Sequence, residues 1–166
     1  MIVESDRRFA QFDGICRYVY LVAMRNRSVP ADTVLPHVTY RNLDEAIGWL
    51  SKTFGFQEHY RYGEPVAGAM MHIGEAWVMA ASARPGSASP AEAGCRTQML
   101  TIFVEDVDGH FARTKASGAT IFEELHETVY GERQYGAVDL EDHRWLFSRH
   151  ARDVSPEEWG ATVAKA

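Results

Sequence analysis

The sequence predicts an α+β fold made of two β-α-β-β-β modules, and three observations predict it. A strand, a capped helix and three further strands follow one another from Val34, and the same order returns after Arg96. The two helix starts, Asn42-Leu43-Asp44 and Asp106-Val107-Asp108, match at an offset of 64 positions, about one module length. Between the copies lies "ARPGSASPAEAGC", rich in Ala, Gly, Ser and Pro, which reads as a linker or mobile loop.

The elements follow in chain order. Residues 1–33 show no clear period and end in the turn-rich "NRSVPADT". They read as an N-terminal extension: a docked helix or strand, a partly ordered tail, or the product of a start codon set too far upstream. "VLPHVTY" has the β-branched and aromatic content of a strand. Asn42 with Glu45 forms a capping-box pattern, and Leu43, Ala46, Ile47, Leu50 and Phe54 recur at helical spacing up to a closing Gly55. "FQEHYRY", "AGAMMHIG" and "AWVMAAS" complete module 34–82, and 83–96 is the linker. In module 97–150, "TQMLTIFV" is the first strand. Asp106 caps a helix whose Val107, His110, Phe111 and Thr114 repeat the earlier stripe, and Gly118 ends it. "ATIFEEL", "RQYGAVD" and "RWLFSRH" supply the last strands, and 151–166 is a C-terminal tail.

With 23 acidic against 17 basic residues, the formal charge of -6 disfavours binding to a phosphate backbone, so no nucleic-acid partner is expected. A neutral or cationic small molecule suits this field better. The longest apolar run, Tyr18 to Met24, is too short to span a bilayer, and no membrane partner is expected. Cys16 and Cys95 make neither a CxxC pair nor a disulfide framework, which points to a reducing cytoplasm. Neither a Gly-rich phosphate loop nor a G-x-S-x-G elbow is present, and Cys95 has no evident base beside it.

The repeat and two motifs carry a resemblance. "YGERQYGAVDLEDHRWLF" is similar to the W-G-x-R-E-F-x-x-x-D-P-D-G-N-x-x-x-F ending of bleomycin-resistance proteins, and "NLDEAIGWLSKTFGF" to their first helix. Over roughly Val34 to His150 the chain therefore resembles the vicinal oxygen chelate superfamily of glyoxalases, extradiol dioxygenases and bleomycin- and fosfomycin-resistance proteins. The resemblance implies an eight-stranded, partly open mixed barrel or cup, usually in a homodimer with cups built across the paired chains. Enzymatic members hold a divalent metal with His or Glu on each module's first and last strands. Those places fall here on Leu35, Met79, Met99 and Leu146, which supply no hard or borderline ligand. No metal and no other cofactor is expected. The family turn has glycine where this chain has Asp142, a residue that tolerates a left-handed backbone at some cost.

Against that frame of alternating strands, His37 and Thr39 share the inward parity of Leu35, and Thr101 and Phe103 that of Met99. Phe103 suits a planar ligand, whereas a strand threonine is commonly there for its β-propensity. His37 is equally a ligand contact or a core-edge histidine. Arg133 and Tyr135 point one way along a single strand; facing the cup, they would suit a carboxylate or phosphate. Arg144 is read rather as part of an exposed cross-strand ion-pair lattice with Glu132, Asp139 and Glu141. Trp145 and Phe147 are expected in the core, and Trp49 and Trp77 are left open. His72 with Glu75, and His126 with Glu127, sit at hairpin ends. The expected function is metal-free binding of an aromatic or cationic ligand. A metal-dependent glyoxalase, lyase or dioxygenase would need His37, His72 and His126 to converge with a glutamate. A third possibility is a ligand-free dimeric scaffold whose cup is filled by Met70, Met79 and Met99.

Overall fold

A computed structural model describes residues 34–164; the N-terminal extension lies outside the described residues. The first module contains β1 (His37–Tyr40), α1 (Leu43–Phe54), β2 (Gln57–Tyr62), β3 (Gly68–Ile73) and β4 (Ala76–Ser82). A short helix α2 (Pro90–Ala93) lies in the linker. The second module contains β5 (Met99–Phe103), α3 (Val107–Ala116), β6 (Thr120–Glu127), β7 (Glu132–Val138) and β8 (Arg144–His150). A 3₁₀ turn, Pro156–Trp159, follows. Each module folds into a four-stranded mixed sheet, in the orders β1-β4-β3-β2 and β5-β8-β7-β6. The first strand of each is parallel to the last. The two sheets do not close into one barrel. Among the described residues no helix is long and apolar enough to cross a membrane.

The capping signals act as the sequence implies. The Asn42 side chain accepts from the Glu45 N–H, Asp106 accepts from the Gly109 N–H, and Gly55 ends α1 with a left-handed φ of 80°. The linker holds local structure of its own. Its α2 carries a complete Ser89–Glu92 capping box, and the Ala91 N–H donates to the Glu141 carbonyl at 3.1 Å. Arg96 adds an ion pair to Asp142 at 2.9 Å. The Ala, Ser and Pro content that suggests mobility instead supplies a Pro at a first helical turn and a capping serine.

The core lies between the helix-bearing faces of the two sheets. Leu43, Ala46, Ile47, Leu50 and Phe54 of α1 pack with Val38, Tyr40, Val78 and Ala80 of the first sheet and with Tyr135, Ala137, Trp145 and Phe147 of the second. Each large side chain so buried contributes about 1.5–3 kcal/mol. Trp49 packs edge-on against Phe54 at 4.9 Å, so it belongs to this core.

The stripe of α3 is polar, and its burial is made tolerable by hydrogen bonds across the modules. Buried His110 donates Nε2–H to the Phe54 carbonyl at 2.8 Å and meets the Tyr135 hydroxyl through Nδ1 at 2.5 Å. Thr114 bonds the Thr53 carbonyl and Tyr135. Burial holds the His110 pKa below its ordinary 6.5. The unfolded chain therefore takes up this proton first. Stability from neutral His110 is complete above pH 6.5 and declines as pH falls from there through the lower folded value. Urea midpoints measured from pH 8 to 5 should fall less steeply in His110→Gln than in the parent. Parallel curves would remove His110 as the cause.

Candidate functional site

The faces of the two sheets turned away from the helices form the candidate site. On the first sheet, register places His37 and Thr39 beside Met79 and Ala81, with Met70 and His72 on the next strand. On the second, Met99, Thr101 and Phe103 stand beside Arg144, Leu146 and Ser148, and these beside Val138, Gly136 and Gln134. This face is partly open: Phe103 is 53% and Met99 47% exposed, while Met79 and Leu146 are nearly buried. His37, Thr39, Thr101 and Phe103 thus share the open faces with the metal places Met79, Met99 and Leu146.

Arg133 and Tyr135 do not. Gln134 pairs with Ser148 and Gly136 with Leu146, so the odd-numbered residues of β7 face α3. Tyr135 is fully buried, and burial pushes its phenol pKa well up. Arg133 is engaged by Asp108 through two nitrogens, Nε at 3.0 Å and Nη2 at 2.6 Å. Both are helix-face residues, not the cup residues that the sequence suggests. The cause is register: a one-residue difference in pairing exchanges the faces of a strand.

What the open face of the second sheet carries instead was missed in the sequence. Glu132 bonds Ser148 Oγ at 3.0 Å and His150 Nδ1 at 2.6 Å, and the His150 ring lies 4.7 Å from Phe103. Gln134 accepts from the Tyr130 hydroxyl and donates to Glu123. Phe122 lies over Gly136, where any Cβ would collide with its ring, and the Arg144 guanidinium stacks on Phe122 at 4.6 Å. Arg144 is therefore a stacked residue rather than a member of an ion-pair lattice. On the first sheet, His72 stacks on Trp77 at 4.6 Å, placing Trp77 on the open face. On β7 and β8 the signal that could have found Glu132, Gln134 and His150 is the even parity they share with Leu146, the parity that Arg144 and Ser148 also have.

The crowded 139–143 turn has another role. Asp139, Glu141 and His143 are buried, not solvated as an exposed hairpin would have them. Asp139 receives the Tyr40 hydroxyl at 2.7 Å, Trp145 Nε1–H at 3.0 Å, and the N–H groups of Glu141 and His143, both at 3.0 Å. Burial pushes its pKa up, while His143, Tyr40 and Trp145 oppose the rise. Glu141 accepts from the Arg41 and Asn42 N–H groups at 2.9 and 3.0 Å. Burial works to raise the Glu141 pKa, but the Asn42, Ser89 and Arg41 donors hold it below the ordinary value. His143 Nε2–H donates to the Thr39 carbonyl at 2.8 Å. Two carboxylates and a histidine thus fasten the second module to the first.

Asp142 is the only non-glycine among the described residues with positive φ, 72°. Asp142→Val should cost about 1–2 kcal/mol, since a branched Cβ crowds the carbonyl in that conformation. Asp142→Gly, which suits the angle but loses the exposed Arg96 pair, should stay within about 1 kcal/mol of the parent. Urea denaturation distinguishes them.

Leu35, Met79, Met99 and Leu146 do not fit a divalent cation. His37, His72 and His126 lie on β1, β3 and β6, with His72 turned to the Gly74 carbonyl and His126 to the Glu124 carbonyl. Among the described residues no three His, Cys, Asp or Glu side chains form a group that could hold a metal ion.

Comparison with known proteins accords with this architecture. The model of the Glyoxalase/Bleomycin resistance protein/Dioxygenase superfamily matches residues 33–147. TioX from Micromonospora sp. ML1 superimposes with a TM-score of 0.60 at 31% identity, covering 72% of this chain and 99% of that one. The fosfomycin resistance protein FosX from Listeria monocytogenes gives 0.53 at 16% identity, over 79% of this chain and 99% of its own, a likeness of fold alone. An uncharacterized Mycobacterium bovis protein is 32% identical over 79 residues, 47% of this chain; the chain spans about half, 51%, of that relative's length.

Proposed function

The chain belongs to the Glyoxalase/Bleomycin resistance protein/Dioxygenase superfamily, and from that premise we propose that it binds a small aromatic or cationic molecule without a metal. The observation that carries the reading is the composition of the second sheet's open face. Apolar Met99 and Leu146 stand where a metal-binding relative has ligands, beside an aromatic-acidic group of Phe103, His150 and Glu132. Phe103 offers a ring face for stacking, and Glu132 a carboxylate 16% exposed on its side chain. His37, Thr39 and Thr101 supply polar contacts on the open faces. A second copy of the chain would cover the half-exposed Phe103 and Met99, so the binding unit is a homodimer with each cup shared. The absence of a disulfide framework in the sequence supports a cytoplasmic setting.

Thermal unfolding tests this with a cationic glycopeptide drug, fosfomycin, a glutathione conjugate and divalent metals. The glycopeptide at about 100 times its Kd should stabilise the fold by about 2.7 kcal/mol, and Phe103→Ala should abolish the shift. Stoichiometric metal retained through dialysis would defeat the reading.

A scaffold reading has its own support: Met70 is fully buried and Met79 nearly so on the first sheet's open face. It requires a dimer that none of these ligands stabilises. Met99, 47% exposed, does not fill that space.

A further inference from the structure

We infer that the Arg144 end of the second sheet's open face receives an aromatic carboxylate, whose two oxygens the guanidinium takes as a fork while Met99 and Leu146 hold the ring. The inference rests on the reading of that face as a binding face, and it names the ligand class for one end of it.

The position of Arg144 is built from the sheet upward. Gly136 pairs with Leu146 on the open face, and Arg144 shares that face of β8, beside Met99. A Cβ at position 136 would collide with the Phe122 ring, so glycine lets the ring close on the strand. The Arg144 guanidinium then sits 4.6 Å from the centre of that ring. Stacking engages the face of a guanidinium and restricts its side chain. The N–H groups lie in the guanidinium plane, so their edge stays available to a carboxylate.

The charge has no counter-charge beside it. Glu132, Asp139 and Glu141 are the acids that an exposed hairpin lattice would set against Arg144. Each is bound elsewhere: Glu132 by Ser148 and His150, Asp139 by Tyr40 and Trp145, and Glu141 by the Arg41 and Asn42 N–H groups. Asp142 is paired with Arg96. Among the described residues the guanidinium has the Phe122 ring as its partner and no ion pair, and Arg144 is exposed. An arginine keeps its proton in a protein, so the positive charge persists. Physiological salt screens exposed charges over about 8 Å, which limits repulsion from the chain's formal charge of -6.

The neighbours select the body of the ligand. Met99, 47% exposed, and Leu146 flank Arg144 on the same face. A thioether makes favourable contacts with an aromatic ring. An inorganic anion leaves this apolar surface uncovered, and an aromatic amide brings no charge. An aromatic carboxylate answers both.

Benzoate is the probe, titrated at fixed ionic strength against benzamide, which keeps the ring without the charge, and acetate, which keeps the charge without the ring. Benzoate should bind and move the Arg144 Nε–H resonance, with both controls at least about tenfold weaker. Arg144→Gln, at an exposed position that leaves the core untouched, should lower benzoate affinity about tenfold, and Arg144→Lys, which keeps the charge but not the fork, should lower it also. Phe122→Leu should weaken benzoate by unseating the guanidinium. Absence of benzoate binding, equal binding of benzamide or acetate, or unchanged affinity in Arg144→Gln would each overturn the inference. Failure of benzoate while the glycopeptide still binds through Phe103 refutes this inference alone; failure of both refutes the reading beneath it.

Discussion

Asp139→Ala should lower stability by about 3–5 kcal/mol in urea denaturation. The substitution leaves two side-chain donors, from Tyr40 and Trp145, and two backbone N–H groups without their acceptor. Each unsatisfied buried donor costs about 1–3 kcal/mol, and water entering the vacated space reduces the total. Tyr40→Phe removes one donor and should cost about 1 kcal/mol. In the double variant the effects should fall short of additive, because both changes act on one hydrogen bond. Strict additivity, or a loss below about 1 kcal/mol for Asp139→Ala, would show that the turn does not fasten the modules.

Phe147→Ala should cost about 3–5 kcal/mol, the usual range for emptying a well-packed aromatic site. Phe147 is fully buried, with its ring 4.9 Å from Phe54, 4.3 Å from His110 and 5.4 Å from Tyr135. It joins an α1 residue of one module to α3 and β7 of the other. The loss should therefore appear in a single transition with an unchanged urea slope. Phe147→Leu, which restores most of the volume, should cost less. Two separated transitions in the parent would contradict a shared core.

The extent to which the site could be read from sequence differs between strands for a physical reason. On β1 and β5 the helix caps fix the count: Asn42 and Asp106 lie a set distance from Leu35 and Met99, so His37, Thr39, Thr101 and Phe103 follow by alternation. On β7 the count runs through the 139–143 turn. The pairing of Val138 with Arg144 decides which of its faces meets α3. Nothing local to Arg133 or Tyr135 fixes that pairing, so alternation alone does not reveal that both face α3. The aromatic-acidic group of Phe103, His150 and Glu132 joins three strands, and no short window of sequence contains it.

The stretch from Tyr130 to His150 shows the same division. Its strand pattern, the left-handed position at Asp142 and the apolar residue at Leu146 are local properties, and the sequence by itself determined them. The burial of Asp139, Glu141 and His143 is not local. Polar residues in a hairpin remain solvated unless another part of the chain covers them. Here the first module supplies Tyr40, the Thr39 carbonyl and the Arg41 and Asn42 N–H groups, about a hundred residues away in the chain. Alternation and capping act over a few residues and are legible as pattern. Desolvation depends on which distant surfaces meet, and only the tertiary structure decided that.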